Sequence, residues 1–175
     1  AVAAEGGVGI ISTAQIGYDE EGFETDQKAC NLKAIEKHVR LAKEQANGGL
    51  VGVNVMVALK DYKEHVRAAV LAGADVVISG AGLPVSLPEL VEGSDTKIAP
   101  IVSSEKAVRI ILKLWARNYK RTADFIVIEG PDAGGHLGFS SEALLHREEL
   151  NYDAEIKKII QTVREYEEKF DQKIP

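Results

Sequence analysis

Short apolar segments alternate along the chain with longer segments in which apolar residues recur at helical spacing. The short segments are rich in β-branched residues and lack the polar alternation of a half-exposed strand. They therefore predict strands that are buried on both faces. Five such strands are predicted, over residues 8–11, 50–57, 76–78, 98–102 and 125–128.

The segments between the predicted strands carry apolar residues three or four positions apart, which is the spacing of one helix face. Helices are predicted over residues 28–47 and 87–91, and after Ser103-Ser104. A further helix is expected to begin with Asp61 and Glu64 as a capping pair. The last helix is predicted to be capped by Asp153 and to continue to Phe170.

An alternating order of strands and helices returns the chain to the same end of the sheet, which favours parallel strands. A short repeat supports this, since Ala74-Asp75 and Ala123-Asp124 precede two predicted strands in the same way. The pattern fits either a doubly wound sheet or part of a (β/α)8 barrel, and periodicity does not separate them. Both folds place functional residues in loops after the carboxyl ends of strands.

Composition narrows the classes of partner. The 175 residues include 21 Lys and Arg against 27 Asp and Glu, a formal net charge of −6, so nucleic acid and anionic membranes are not expected as main partners. No segment approaches the roughly 20 apolar residues that span a bilayer, and the N-terminus lacks the features of a signal peptide. We expect a cytoplasmic protein that acts on a small molecule, and exposed helix faces could support a homodimer.

Cysteine and histidine patterns give no metal site. Cys30 is the single cysteine, which excludes an internal disulfide and a cysteine-based zinc cluster. The histidines at positions 38, 65, 136 and 146 share no spacing typical of metal ligands.

The most informative loop is Glu129–His136, where Gly134-Gly135 precedes a histidine. Glycines let the backbone approach a flat or phosphorylated ligand closely, and a histidine at His136 can exchange a proton near neutral pH. The alternative is a tight turn with a surface histidine. Walker A chemistry is excluded because His136-Leu137 replaces the required Lys and Ser/Thr, and no strand is followed by a Gly-x-Gly-x-x-Gly fingerprint.

Two polar residues end apolar predicted strands. Asn54 and Glu129 must be satisfied either by neighbouring backbone groups or by a ligand, and the sequence leaves both alternatives open. A basic cluster is different, because cations near a helix C-terminus interact favourably with its dipole. We interpret the cluster in this way rather than as a nucleic-acid site; it consists of Lys113, Arg117, Lys120 and Arg121.

Together, five motifs resemble the 2-nitropropane dioxygenase-like family, which includes nitronate monooxygenases and flavin-dependent enoyl-acyl-carrier-protein reductases. The motifs occur in the family's order and lie at Gly6–Ser12, Gly52–Met56, Ser79–Pro84, Pro100–Ser104 and Glu129–Gly138. The resemblance implies an FMN-dependent (β/α)8 TIM barrel, of which the chain covers about strands 2 to 6 with their helices. We expect one domain over residues 1–175, incomplete at both ends, because strands seven and eight with their phosphate-binding loops are not recognised.

The resemblance also assigns roles to individual residues. Asn54, Glu129, Gly134 and Gly135 would contact FMN, and His136 is similar to the family's active-site histidine. Glu129 stands where many nitronate monooxygenases have Gln and where the reductases commonly have Glu. Asp132 is one methylene shorter than the usual Glu.

Three functions follow from this resemblance as expectations. The first is nitronate monooxygenase, in which His136 acts as a base on a nitroalkane or as a donor to a nitronate, and O₂ reoxidises FMN. The second is an NAD(P)H-dependent reductase of enoyl thioesters or quinones. The third is an inactive or merely flavin-binding fragment.

Overall fold

A computed structural model of the chain describes residues 1–135 and 138–175, so that His136 and Leu137 lie outside the described residues. Five strands form the sheet, β1 (Val8–Ser12), β2 (Leu50–Met56), β3 (Val76–Gly80), β4 (Lys97–Val102) and β5 (Val127–Ile128). The α-helices are α1 (Gln27–Gln45), α2 (Tyr62–Leu71), α3 (Leu87–Leu90), α4 (Glu105–Tyr119), α5 (Ser141–Leu145) and α6 (Tyr152–Phe170). Two short 3₁₀ helices span Ala3–Glu5 and Arg147–Glu149.

The strand order separates the two folds that the sequence left open. Each strand pairs in parallel with the next one along the chain, giving the order β1-β2-β3-β4-β5. A doubly wound sheet reverses its order at a switch point, and no reversal occurs among these five strands. The chain therefore forms consecutive β/α units of a partial (β/α)8 barrel.

Burial on both faces is confirmed for the central strands β2, β3 and β4 and is wrong for the two outer strands. In β1, residues alternate between exposed and half-buried, and Val8 and Ile10 are each 41% exposed. β1 and β5 each have a strand neighbour on one side only, which leaves their inner face less covered.

Helices cover one face of the sheet, and the main hydrophobic core lies beneath them. Side chains alternate between faces along a strand, so Val53, Val55 and Val77 point towards the helices and are 0% exposed. They belong to the same cluster of buried side chains as Trp115 of α4 and Ile159 of α6. The helix-covered face therefore accounts for most of the buried apolar surface.

The opposite face, here called the inner face, carries Ile10, Gly52 and Val76 side by side in register. A Cβ on Gly52 would lie 2.8 Å from Val76 Cβ and 2.9 Å from Ile10 Cδ1. Larger side chains of the neighbouring strands thus occupy the space over this glycine, as in the layered interior of a barrel.

Local details correct several predictions. The cap of α6 is Asn151, whose Oδ1 accepts from Ala154 N at 3.2 Å, so the prediction of Asp153 as the cap was wrong by two positions. Asp61 does occupy the N-cap position of α2, but it makes no side-chain capping bond and pairs with Lys28 at 3.1 Å. The helix α5 was not predicted, because it buries none of its residues and has no apolar stripe to mark it.

In the basic cluster at the end of α4, Lys120 agrees with the helix-terminus interpretation, whereas Arg121 binds groups outside the helix. Lys120 Nζ donates to Arg117 O at 3.3 Å, satisfying a carbonyl of the last turn. Arg121 donates to Thr96 O at 3.3 Å and to the Asp124 carboxylate at 3.1 Å.

No helix in the described part of the chain is long and apolar enough to cross a membrane.

The repeated Ala-Asp pair has a structural role at the amino ends of the strands. Asp75 Oδ2 accepts from Val51 N at 2.7 Å, and Asp124 Oδ2 accepts from Ile98 N at 2.8 Å. Each carboxylate therefore pairs with the backbone of the preceding strand, while the candidate site residues lie at the opposite ends of the strands.

Replacing Asp75 with alanine should lower the free energy of unfolding by about 1–3 kcal/mol, because Val51 N loses its charged acceptor. Lys43, which donates to both Asp75 oxygens at 2.7 Å, also loses its partner. Urea denaturation measures the effect, with Asp95→Ala as a control at an exposed aspartate. Equal midpoints for the two variants would contradict this role of Asp75.

Candidate active site

A cavity of about 400 Å³ lies at the carboxyl ends of β3, β4 and β5. This volume is within the range of small-molecule sites. Most of its lining is small or apolar, and it comprises Ala58, Ala81, Gly82, Leu83, Ile101, Val102, Ser103, Ser104, Ala107, Glu129 and Gly138. The cavity is therefore where the sequence analysis placed the chemistry, at the carboxyl ends of parallel strands.

The loop after β3 forms one wall of the cavity and needs an unusual backbone. Ala81 has φ 51° and Gly82 has φ 133°, both in the region that favours glycine. A Cβ on Gly82 would also lie 3.1 Å from Val57 Cβ. The loop is held from outside by Trp115, whose Nε1 donates to Pro84 O at 3.0 Å.

Ser103 and Ser104 form a second wall and begin α4. Ser104 Oγ accepts from Ala107 N at 3.3 Å, and Glu105 N donates to a carboxylate oxygen of Glu155 in α6 at 2.7 Å. Two of the first backbone N–H groups of α4 therefore have partners within the protein. One of these partners belongs to α6, so this bond also joins the two helices.

Glu129 connects β5 to the loop that follows it. Its N–H donates to Val102 O at 2.9 Å, and its Oε2 accepts from Gly138 N at 2.9 Å. Ser103 Oγ donates to Gly138 O at 2.9 Å, so both the N–H and the carbonyl group of this glycine are hydrogen-bonded. The hydroxyl of Tyr152 donates to Glu129 O. The sequence left open whether a backbone group or a ligand satisfies the Glu129 carboxylate. In the structure this carboxylate accepts from a backbone N–H, that of Gly138.

Gly138 and Ser103 form a contact that the sequence analysis did not identify. A Cβ on Gly138 would overlap Ser103 Oγ and lie 3.0 Å from Ser103 Cβ, so any larger residue would displace the hydroxyl that donates to Gly138 O. The signal was present as the last glycine of the Glu129–Gly138 motif, but its partner lies 35 residues away in the sequence.

The two glycines predicted to contact a cofactor do not line the cavity. Gly134 and Gly135 are exposed, and a Cβ on either would have no atom within 4 Å. Gly135 has φ 87°, which favours glycine for conformational reasons. The predicted catalytic His136 lies outside the described residues.

Asn54 lies on the inner face near the end of β2, in register with Ser12 and Ile78. Its backbone oxygen accepts from Thr13 N at 3.1 Å. Its side-chain Oδ1 is buried, and within the described part of the chain it has no hydrogen-bond partner. A buried acceptor without a donor is costly, so this atom is a candidate ligand contact.

The described residues contain no group of three or more His, Cys, Asp or Glu side chains that could hold a metal ion. Of the predicted site residues, Glu129 lines the cavity. Asn54 is not among the lining residues, and it offers a separate feature, a buried amide oxygen near the carboxyl end of β2.

Comparisons with known proteins identify similar chains. The family model described as nitronate monooxygenase matches residues 1–165. FabK from Thermotoga maritima has a similar structure, with a TM-score of 0.61, 23% sequence identity, and coverage of 93% of this chain and 42% of that chain. Nitroalkane oxidase from Streptomyces ansochromogenes gives a TM-score of 0.59 at 15% identity, covering 99% of this chain and 51% of that chain.

The chain thus spans about half or less of the length of these two solved structures. At such identities the structural likeness supports the fold, and it agrees with the partial barrel derived from strand order. A comparison of the sequence with curated proteins found no match.

Proposed function

This chain belongs to the nitronate monooxygenase family, and we propose that it contributes the active-site cavity of an FMN-dependent oxidoreductase that oxidises nitronates or nitroalkanes with O₂. The observation that carries the proposal is the buried Asn54 Oδ1, which has no partner among the described residues. It lies on the inner face of a sheet whose strands end at a cavity of about 400 Å³.

The described residues fit a flavin in two respects. A flavin ring is planar and largely apolar, with a ring N–H that can donate to an amide oxygen, and Asn54 Oδ1 offers a buried acceptor for it. The small side chains at the cavity, Ala58, Ala81 and Ala107, leave room for a planar ring. FMN bound here would supply an electron acceptor that is reduced by the substrate and reoxidised by O₂.

Further residues are assigned by the family resemblance. We propose that Glu129 contacts FMN with its carboxylate and that Gly134 and Gly135 offer backbone N–H groups to it. Glu129 Oε2 is already bonded to Gly138 N, so the loop would orient this carboxylate at the cavity wall. Both glycines lie outside the cavity lining, so their role in this proposal rests on the family resemblance alone.

His136 is the proposed proton-handling residue. An imidazole titrates near neutral pH, so it can accept the proton from the carbon next to a nitro group or donate a hydrogen bond to a nitronate. The apolar walls Leu83, Ile101 and Val102 would keep water from the reacting atoms.

A second candidate function rests on Glu129. A carboxylate at this position resembles the enoyl-acyl-carrier-protein reductases, in which NAD(P)H is the reductant and an enoyl thioester or a quinone is the acceptor. The carboxylate lines the cavity, so this alternative shares the same site.

Anaerobic reduction of the bound flavin in the full-length protein distinguishes the two functions. We expect the nitronate of 2-nitropropane, without NAD(P)H, to bleach the flavin absorbance, and NADH or NADPH to reduce it poorly. Reduction by NADH or NADPH alone, followed by turnover of an enoyl thioester or a quinone, would instead select the reductase. A protein that is reduced by neither donor would contradict both functions and favour a flavin-binding fragment.

A further inference from the structure

A chain of buried polar groups runs from α2 to the end of β2. His65 of α2 is 3% exposed, and its Nδ1 lies 3.2 Å from Oγ1 of Thr13, which is 0% exposed. Thr13 Oγ1 donates to Asn54 O at 3.4 Å, and Thr13 N donates to the same oxygen at 3.1 Å. The three residues therefore connect the helix layer to the residue that carries the unpaired inner-face oxygen.

The direction of these hydrogen bonds follows from the number of available protons. A threonine hydroxyl has one proton, and here it is donated to Asn54 O. His65 Nδ1 must then donate to Thr13 Oγ1. Burial lowers the pKa of His65, which favours the neutral ring, and the bond to Thr13 then assigns the ring proton to Nδ1.

These hydrogen bonds fix the position of the Asn54 backbone. Two donors from Thr13 hold its carbonyl oxygen, so the orientation of the peptide group at the end of β2 is fixed. The Asn54 side chain leaves that backbone towards the inner face, where its Oδ1 is buried. Rigid support of this kind sets where a ligand-binding atom lies.

We propose that His65 and Thr13 are positioning residues that hold the Asn54 amide for a ligand on the inner face. The role rests on the proposed function, since the ligand is taken to be FMN. Neither side chain touches the ligand, because both lie on the helix-covered side of the sheet.

A second bond from α2 provides a matched control. Tyr62, one turn before His65, has its hydroxyl 3.1 Å from Ser79 Oγ in β3, and both residues are buried. Burial raises the pKa of Tyr62 to about 12, so the hydroxyl stays protonated at ordinary pH. This bond also ties α2 to the sheet, but it does not include Asn54.

The test compares FMN affinity, measured by titration of flavin fluorescence, among variants of the full-length protein. Thr13→Val removes the hydroxyl at nearly constant volume and should weaken FMN binding about tenfold, the effect of losing one hydrogen bond of about 1.4 kcal/mol. Thr13→Ser keeps the hydroxyl and should bind FMN nearly as well as the unmodified protein. Tyr62→Phe should lower stability to a similar extent and leave FMN affinity unchanged.

A double-mutant cycle separates positioning from general loosening. In an Asn54→Ala background, Thr13→Val should cause no further loss of FMN affinity, because the atom that it positions has been removed. Equal losses in both backgrounds, or a loss of FMN affinity in Tyr62→Phe as large as in Thr13→Val, would overturn the positioning role while leaving the proposed function intact. An unmodified protein that binds no FMN would overturn both.

Discussion

Replacing His136 with alanine is expected to lower turnover of a nitroalkane or nitronate by about 10²–10⁴-fold, the usual contribution of a general acid or base. The variant removes the titratable imidazole proposed to exchange a proton with the substrate. FMN should stay bound, because the proposed cofactor contacts are made by Asn54, Glu129 and the two preceding glycines. Steady-state kinetics together with the flavin spectrum of the purified variant measure both effects.

His146→Ala is the matched control for this prediction. His146 follows the exposed helix α5 and lies 3.5 Å from Glu149 in an ion pair when protonated. Its loss should leave kcat and KM unchanged. Unaltered turnover in His136→Ala would show that another residue handles the proton.

Replacing Trp115 with alanine is expected to have the largest effect on stability, about 3–5 kcal/mol for a large buried aromatic side chain. Trp115 is 0% exposed and lies in the main core. Since a domain is stable by about 5–15 kcal/mol in total, the variant should lose a large fraction of that stability and unfold at a clearly lower temperature and urea concentration. Thermal and urea denaturation of the full protein measure the change, with Leu71→Ala at an 83% exposed position as the control.

Trp115→Phe separates packing from hydrogen bonding. It keeps most of the ring but leaves Pro84 O, which accepts from Trp115 Nε1 at 3.0 Å, without that donor. The expected loss is about 1–3 kcal/mol, with faster proteolysis in the cavity loop that contains Leu83 and Pro84. A Phe variant as stable as the original, with an equally resistant loop, would contradict the anchoring role.

Much of the fold was accessible from local pattern. The apolar segments located all five strands, since the three central ones are buried on both faces and carry little polar alternation. The predicted strand over residues 125–128 is shorter than expected, because only Val127–Ile128 pairs with β4, while Ile126 N donates to Pro175 O. That contact joins residues far apart in the sequence and gives no periodic signal.

Strand order was not accessible from periodicity. A doubly wound sheet and a barrel use the same alternating units, and they differ in which strands pair. The family resemblance pointed to the barrel. The structure confirmed it, because each of the five strands pairs in parallel with the next one along the chain.

The candidate site was predictable in part, for a similar physical reason. Asn54 and Glu129 stood out because polar side chains end apolar strands. By contrast, Thr13 and His65 each have an ordinary sequence context, and their link to Asn54 depends on a separation of 52 residues between Thr13 and His65. Trp115 falls within the helix that the sequence predicts after Ser103-Ser104, while its bond to Pro84 arises from tertiary packing.

We propose that this chain supplies part of a flavin site, and the flavin content of the purified protein is the decisive measurement. We expect a yellow protein that releases FMN on denaturation in an amount equimolar with the polypeptide. It also predicts that Asn54→Ala lowers the affinity for FMN, because the unpaired buried oxygen is lost. A colourless protein that binds no added FMN would contradict the account.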